Sequence, residues 1–570
     1  SRPSQAQLDG FKSRALRAQA PTQRHLYSTE WRQVEVAGGV STAVLVVSDD
    51  ETTECERLSS CVTHAELASA RHNGEWAAMA VATRHRCLAV LPLFALEVAL
   101  AVVQVQLSKT PAHKVWLLTY GAIVPWGGAA QAGSWGLSRC ARAEAVLPVI
   151  CADGPTHLAF AHCSSLVEPE TMLKANECLV PRLAHSSYTA ESNVYTTSES
   201  HLITGGTGGL GLLTARWLAQ RGANSLALAS RGGTLARDMM NEWGQMQGTV
   251  TVSVTTLVQR CDTAETTHVR RVLLVGHARL PTTGVWHAAG VLADGVLLKQ
   301  MAGAFAGVYA PKVHGAWTLQ HACARTPQLT CALFSSVAAL LGGAGQANYS
   351  AANACLDARA ACRCAHGTAS TSVQWGAWAE LGMAARGAAS ERMVTMEAAS
   401  GFARVGLAQG LAALHVAVLP RAASCIGVVP GKWHAMLDNE TAPTFLIAMT
   451  PRSSTSAPSA TGQQTACTIS LDAVLEMVRR TAGSSVDADA PLMEAGVDSL
   501  GAVELRNQLQ RAVGEGVTLS STLMFDHPTV RQVALHLHGN RPIATASGMG
   551  DDTALFSGTV SYTHLRAHET

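Results

Sequence analysis

From Leu26 onward, short β-branched apolar runs alternate with longer amphipathic stretches, a rhythm that predicts strands and helices in turn. Ala43-Val44-Leu45-Val46-Val47 is one such run, closed by the turn signal Ser48-Asp49-Asp50, and Val115-Trp116-Leu117-Leu118-Thr119 is another. Gly136 to Glu144 carries helix formers with its charges on one side. The most apolar stretch, Cys87 to Leu96, contains Pro92 and runs into Glu97; it is too short to span a bilayer and predicts a buried strand or helix. The alternation resumes over 200–437, with strands expected at His201–Ile203, Ser225–Ala229, Val250–Thr255, Gly284–His287, Cys331–Phe334 and Ser372–Trp375, and a helix over Leu212–Gln220. Repetition of this length predicts an α/β fold built on a parallel, doubly wound sheet. Residues 438–467, with Pro451-Arg452-Ser453-Ser454-Thr455-Ser456-Ala457-Pro458 at their centre, predict a flexible linker. Residues 468–540 show helical periodicity broken at Pro491 and Pro528, and no strand pattern, as in a small helical bundle.

A length of 570 residues suits three or four domains, and 48% hydrophobic with 15% charged residues indicates folded material. The net charge of +1 provides no electrostatic reason for a nucleic-acid or membrane partner. The 15 cysteines are scattered without CxxC pairs and read as small apolar residues in a reducing compartment; Cys362-Arg363-Cys364 lacks the second pair a metal site needs, so no metal is expected. Residues 1–25 read as a linker or the end of an upstream domain, and 541–570 as a linker and tail. The last eleven residues, Val560 to Thr570, resemble the in-frame translation of a sequencing adapter and carry no fold argument. With Ser1 in place of methionine, both ends read as truncated and the location, cytoplasm or plastid, stays open.

Chemistry concentrates at three places. Thr204-Gly205-Gly206-Thr207-Gly208-Gly209-Leu210-Gly211 sits between an apolar strand and an amphipathic helix. Backbone can approach a pyrophosphate closely only where Cβ atoms are missing, and the helix N-terminus supplies N–H groups and partial positive charge. At the end of the next strand stands Ser230-Arg231 rather than an acid, which favours a ribose 2′-phosphate and hence NADPH over NADH, unless Arg231 is simply a solvated surface charge. The half before residue 200 has no such turn after its first strand and reads as structural.

Secondly, Tyr349 and Asn353 lie four apart on an expected helix and so share a face. Ser336 follows a strand at the edge where doubly wound sheets hold ligands, and Lys312 lies upstream on an expected helix. Reduction of a ketone needs a proton donor at the oxygen. A phenol suits that role if an ammonium, here Lys312, stabilises its phenolate, with Ser336 donating to the same oxygen and Asn353 orienting the lysine or a water. Taken singly, Tyr349 also fits a packed aromatic, Ser336 a turn residue and Asn353 a surface amide.

Residues 26–437 resemble the ketoreductase domain of type I modular polyketide synthases, within the short-chain dehydrogenase/reductase superfamily. The resemblance rests on Leu26-Tyr27 with Trp31, Trp135-Gly136-Leu137 with Arg139 and Glu144, the glycine turn, and His287-Ala288-Ala289-Gly290. It extends to Pro311-Lys312-Val313, Phe334-Ser335-Ser336, the Tyr349/Asn353 pair, and Trp375-Gly376-Ala377-Trp378 with Gly382-Met383-Ala384. It implies two Rossmann-like subdomains, structural (26–199) and catalytic (200–437). It also implies a catalytic set of Ser336, Tyr349, Lys312 and Asn353, and adds Asp262, Ala288 and Ala289 to the cofactor contacts. Leu292-Ala293-Asp294 matches the family's stereochemical signature at its first and last positions, and Leu341 stands where the opposite class carries tryptophan. The implied outcome is B-type, a D-configured hydroxyl, unless Asp294 is only a turn residue.

Thirdly, Gly496-Val497-Asp498-Ser499-Leu500 opens an expected helix, where a serine is ordinarily a cap. With Pro491-Leu492, Glu504-Leu505-Arg506 and Phe525-Asp526-His527-Pro528-Thr529, the segment 468–540 resembles an acyl carrier protein, a small four-helix bundle. The resemblance implies that Ser499 carries covalent 4′-phosphopantetheine. The joint expectation is a synthase fragment reducing a carrier-bound β-ketoacyl thioester. Its partners would be acyl thioester substrates, a phosphopantetheinyl transferase and neighbouring ketosynthase and acyltransferase domains, with a homodimer formed through domains outside this chain. The alternatives are a fatty-acid-type synthase with the same parts and a scaffold with an inactive reductase.

Overall fold

A computed structural model describes residues 25–35, 44–48, 61–62, 78–82, 91–107 and 114–123, all of 330–379, and most of 129–186, 200–324, 403–450 and 470–539. Gly382-Met383-Ala384, the Pro451–Pro458 stretch and the final eleven residues lie outside them.

The structural half contributes β1 (Leu26–Val34), β2 (Val44–Ser48), β3 (Cys61–Val62), β4 (Ala78–Ala82), α1 (Leu91–Leu107), β5 (Lys114–Thr119), α2 (Gly133–Ala145), β6 (Val149–Asp153), β7 (Glu170–Lys174) and β8 (Glu177–His185). The Cys87–Leu96 run thus enters a helix, α1, with Pro92 in its first turn, where a missing N–H costs nothing.

The catalytic half follows with β9 (Ser200–Thr204), α3 (Gly209–Gln220), β10 (Ser225–Ser230), β11 (Thr255–Arg260), α4 (Thr266–His277) and β12 (Thr282–His287). Then come α5 (Ala302–Tyr309), a π-turn (Ala310–His314), α6 (Gly315–Ala322), β13 (Thr330–Ser336), α7 (Val337–Leu341), α8 (Ala347–Ala365), β14 (Thr371–Trp375), α9 (Leu407–Ala417) and β15 (Cys425–Val428).

The described strands form one sheet of fifteen, ordered β11-β10-β9-β12-β13-β14-β15-β1-β8-β7-β6-β5-β4-β2-β3. The catalytic half is parallel from β11 to β15, as expected, and the structural half is parallel from β3 to β7, with β8 antiparallel to β7. The halves are fused because β1, the first of the described strands, pairs antiparallel with β15 and with β8. Of the strand expected at Val250–Thr255, residues 250–253 lie outside the described residues; the strand described there, β11, covers Thr255–Arg260 in parallel register with Ser225–Ser230 of β10. Pairing with β10 fixes that register, and single-sequence alternation is blind to it.

The two halves also share a core. Trp135, Leu137, Cys140 and Ala141 of α2 and Val102 and Val103 of α1 pack in one cluster with Tyr309 of α5 and with Ala347, Ala351, Ala352 and Cys355 of α8. Small residues permit close approach: a Cβ on Gly136 would sit 2.6 Å from the Ser350 carbonyl carbon and 2.7 Å from the Ala351 nitrogen. Ser350 Oγ, one residue beyond Tyr349, donates to Gly136 O at 3.0 Å and to Ala338 O at 2.7 Å.

The expected linker 438–467 needs a correction at its start. Thr444–Met449 forms a 3-10 helix whose Leu446 packs with Tyr27, Leu183, Leu340, Val429 and Trp433, and Thr444 Oγ1 donates to Glu168 at 2.7 Å. Buried apolar area holds this segment on the reductase body.

The carrier segment is α10 (Leu471–Ala482), α11 (Ser499–Val513), α12 (Leu523–Asp526) and α13 (Val530–Gly539) around Val474, Val478, Leu492, Val497, Leu505, Leu509 and Val533. Its two proline breaks meet: Pro491 bridges Thr529 and the Leu492 N–H donates to Pro528 O at 2.8 Å.

Candidate active site

The winding of the catalytic half reverses between β9 and β12, and ligands of such sheets lie at the carboxyl ends of the strands there. Beyond Thr204 the chain turns through Gly205, whose φ of +66° favours glycine. A Cβ there would lie 2.7 Å from Ala288 O, and one on Gly206 2.7 Å from Ile203 O; a Cβ on Gly211 would strike Gly205 O. These three glycines are therefore required by backbone packing alone. Gly208 is freer and is the N-cap of α3, with no side chain to cap the leading amides. Thr207, Gly208 and Leu210 are partly exposed along the turn, whereas Gly209 is buried. Open first-turn amides beside bare backbone suit a pyrophosphate, so the residues present fit a dinucleotide.

Arg231 stands exposed just past β10, and Ser230 Oγ accepts from Gly233 N at 3.1 Å. Ser230 lies opposite Arg260 on β11, which brings a second guanidinium-bearing residue to this corner; it emerges from the pairing of β10 with β11. Asp262 follows β11 and spends one carboxylate oxygen on Ala264 N at 3.0 Å. Ala288 N donates to Thr204 O at 3.1 Å, which seats Ala288 and Ala289 against Gly205.

The proton-transfer candidates meet at the same edge. Lys312, 3% exposed, rises from the π-turn and donates from Nζ to Asn353 Oδ1 at 2.8 Å and to Phe334 O at 2.9 Å. Gly290 makes room for it, since a Cβ there would lie 2.9 Å from Lys312 Cε. Asn353 Nδ2 donates to Tyr349 O at 2.9 Å, so both ends of the amide are engaged. Ser336 ends β13 and caps α7, accepting from Ala338 N at 3.2 Å, and its hydroxyl also bonds the Tyr349 phenol. The Lys312 ammonium lies over the Tyr349 ring, 5.0 Å from its centroid.

Burial governs the electrostatics. It pushes the Tyr349 phenol up to about 12, opposed by hydrogen bonds with Asn353 and Ser336, and pushes the Lys312 ammonium down to about 7, opposed by the charge of Asp357. Desolvation is the largest cause for both groups, so the phenol is raised rather than lowered. A protonated phenol beside a hydroxyl and an amine near its titration midpoint can give a proton to an oxygen and be resupplied.

Asp294 belongs to a loop tied to the start of α8 and the segment before it: Asn348 Nδ2 donates to Ala293 O at 2.7 Å, Gly295 N to Gly345 O at 2.8 Å, and Gln346 Nε2 lies 3.4 Å from Asp294. Leu341, ending α7, is partly buried against Leu340 and Tyr27. Ser499 is the first residue of α11, between buried Val497 and Ala502.

Three further residues support the site through partners distant in sequence. Glu144, 6% exposed, accepts from Leu297 N at 2.6 Å and Gly345 N at 2.8 Å, bracing both loops from the structural half. Asp357 accepts from Ser372 Oγ at 2.6 Å and Gln374 Nε2 at 2.7 Å, one turn beyond Asn353. His287 bonds Thr204 and the Lys312 carbonyl. Glu144 and His287 stand among the residues that carry the resemblance, and Asp357 leaves an acid at the i+4 spacing from Asn353, but none of these signals says what the side chain holds.

Residues 199–380 match the family model of the KR domain and 472–537 that of the phosphopantetheine attachment site. The chain is 34% identical over 439 residues to polyketide synthase GfsB of Streptomyces halstedii, covering 72% of this chain and 8% of that protein. It is 35% identical over 373 residues to erythronolide synthase EryA3 of Saccharopolyspora erythraea, covering 62% and 11% respectively. It therefore spans a small part of these bacterial relatives, which lend no support to the plastid alternative. Among solved structures, A-type ketoreductases from a modular polyketide synthase superpose with a TM-score of 0.65 at 25% identity, over 75% of this chain and 98% of that one. The first ketoreductase of the tylosin synthase gives 0.59 at 27%, over 73% and 94%. Among the described residues no helix is long and apolar enough to cross a membrane, and no cluster of His, Cys, Asp and Glu could hold a metal.

Proposed function

We infer that this chain, which belongs to the type I polyketide synthases through its ketoreductase and carrier domains, reduces a β-ketoacyl thioester tethered to Ser499 through 4′-phosphopantetheine. The observation that carries this reading is the convergence of Lys312 Nζ, Asn353 Oδ1 and the Tyr349 ring beside a glycine cradle fit for a dinucleotide. The cradle of Gly205, Gly206 and Gly211 would hold a reduced nicotinamide dinucleotide, which would supply the hydride for the β-carbon. Tyr349 delivers the proton to the forming alkoxide from its phenol, which burial keeps protonated at neutral pH. Ser336 donates to the same oxygen and so stabilises charge as it develops. Lys312, held by Asn353 and Phe334 O, faces the phenolate left behind and stabilises it.

The Arg231 and Arg260 corner favours a 2′-phosphate and hence NADPH. The placement of Asp294 on a loop anchored to α8, with Leu341 in place of an aromatic, supports a B-type approach and a D-configured hydroxyl, unlike the A-type neighbour above. A phosphopantetheinyl transferase would load Ser499, and ketosynthase and acyltransferase domains would lie on the same or a partner polypeptide.

The test is NADPH oxidation with a β-ketoacyl N-acetylcysteamine thioester, with chiral analysis of the product. Tyr349→Phe abolishes turnover while leaving the fold intact; near-normal turnover of that variant would overturn the catalytic assignment. Ser499→Ala abolishes the mass gain on incubation with coenzyme A and a phosphopantetheinyl transferase.

A further inference from the structure

Lys312 reaches the site from an unusual backbone. The chain from Ala302 to Ala322 is helical except at Ala310–His314, a π-turn in which the Gly315 N–H is shared between Ala310 O and Lys312 O. A widened turn leaves carbonyls poorly matched to helical donors and persists where other groups satisfy them. Here two buried side chains do so. Thr263 Oγ1 donates to Pro311 O at 3.2 Å, and His287 Nε2 lies 2.9 Å from Lys312 O. The other nitrogen of the same ring, His287 Nδ1, lies 2.7 Å from Thr204 Oγ1, and Thr204 is the last residue of β9 before the glycine turn.

The protonation of this ring follows from its partners. A carbonyl can only accept, so Nε2 carries the hydrogen, and Nδ1 of the neutral ring then accepts from the Thr204 hydroxyl. His287 is fully buried, and desolvation holds it neutral, down to about 4. Gly315 packs over the ring, where a Cβ would lie 3.0 Å from His287 Cε1.

From this chain of contacts, and resting on the reductase reading above, we infer that His287 is a positioning residue that joins the dinucleotide turn to the proton-relay lysine through Thr204 Oγ1–H···Nδ1 and Nε2–H···O=C of Lys312. It touches no substrate. It sets the height of the π-turn, and with it the reach of Lys312 Nζ to Asn353, relative to the strand end from which the glycine cradle begins.

The two arms can be cut separately in the full chain. His287→Phe removes both. His287→Asn keeps only the arm towards Thr204, because its amide is too short to reach Lys312 O. His287→Gln places an N–H near the Nε2 position and keeps only the arm towards Lys312. The expected result is a fall in kcat of about tenfold for Phe and Asn, the effect of about one lost buried hydrogen bond, with KM for the ketone within about twofold of the parent. Gln recovers kcat but retains a raised KM for the dinucleotide, a split that a merely structural role would not produce. Deuterium exchange of amides 309–316 rises in Phe and Asn and stays at the parent level in Gln. Should the Phe variant fail to fold, Asn alone decides the arm towards Lys312, and Thr204→Val, which cuts only the other arm, must raise KM for the dinucleotide with exchange at 309–316 at the parent level, as in Gln.

Parent-like kcat and exchange in well-folded Phe and Asn variants overturn the inference and leave the reductase reading standing. A parent that does not reduce the ketone sinks the reductase reading, and exchange at 309–316 then decides the coupling alone.

Discussion

Gly136→Ala tests whether the structural half sets the position of the catalytic phenol. The added Cβ would meet backbone of α8 at 2.6 and 2.7 Å, where ordinary contact begins at 3.4 Å, and the nearest atom, Ser350 O, is closer still. Neither partner is the tip of a flexible side chain, so α2 and α8 must part by most of an ångström. Ser350 adjoins Tyr349, and Asn353 lies on the same helix, so the displacement passes directly to the groups around Lys312. Overpacking of this kind costs about 1–3 kcal/mol of stability, and a misplacement near 1 Å costs roughly a hundredfold in rate. Thermal unfolding together with NADPH oxidation against a β-ketoacyl thioester measures both. Gly307→Ala in α5 is the control, because a Cβ there has nothing within 4 Å and should leave stability unchanged or raise it by roughly 0.5–1 kcal/mol. Unaltered kcat and melting temperature in Gly136→Ala would refute the claim that the α2–α8 contact positions the site.

Glu144→Gln removes the carboxylate that accepts from Leu297 N and Gly345 N; a loss of about 1.5–3 kcal/mol and a raised KM for the ketone are expected, and unchanged values in denaturant titration and kinetics would count against the brace. Arg231→Glu lowers kcat/KM with NADPH more than with NADH, and a preference that does not move removes Arg231 from the 2′-phosphate site. Stability depends on pH through two depressed cations. For His287, folded near 4 against 6.5, the unfolded chain binds the extra proton between those values, so stability present above pH 6.5 falls by about 3 kcal/mol towards pH 4. For Lys312, folded near 7 against 10.5, the same sign makes stability rise from about pH 7 towards 10, and chemical denaturation should show that upper rise vanishing in Lys312→Met.

Much of the site was legible because its residues are fixed by local need. The glycine turn and the Tyr349/Asn353 spacing are short-range patterns, whereas the roles of the catalytic set and of Ser499, the first residue of α11, rest on the family resemblance. The departures all involve partners distant in sequence. Thr444–Met449 folds back onto β8, and Arg260 reaches the Arg231 corner only through the pairing of β10 with β11. The pKa balance belongs here too, since the dryness around Lys312 and Tyr349 comes from Gly290, Phe334 and Asn353 closing over them.

By itself, the amino-acid order indicated two α/β halves, a helical carrier and a glycine turn suited to a dinucleotide, because periodicity and backbone clearance act over a few residues, while the proposed serine, phenol, amine and amide rest on the family resemblance. Only the tertiary structure decided that β1 welds both halves into one sheet, that Gly136 and Glu144 brace the catalytic helix and loops from outside the catalytic half, and that a buried neutral His287 ties the turn to Lys312. Those contacts join residues up to four hundred positions apart. Their energies arise from close packing and desolvation, which exist only once the chain has closed on itself.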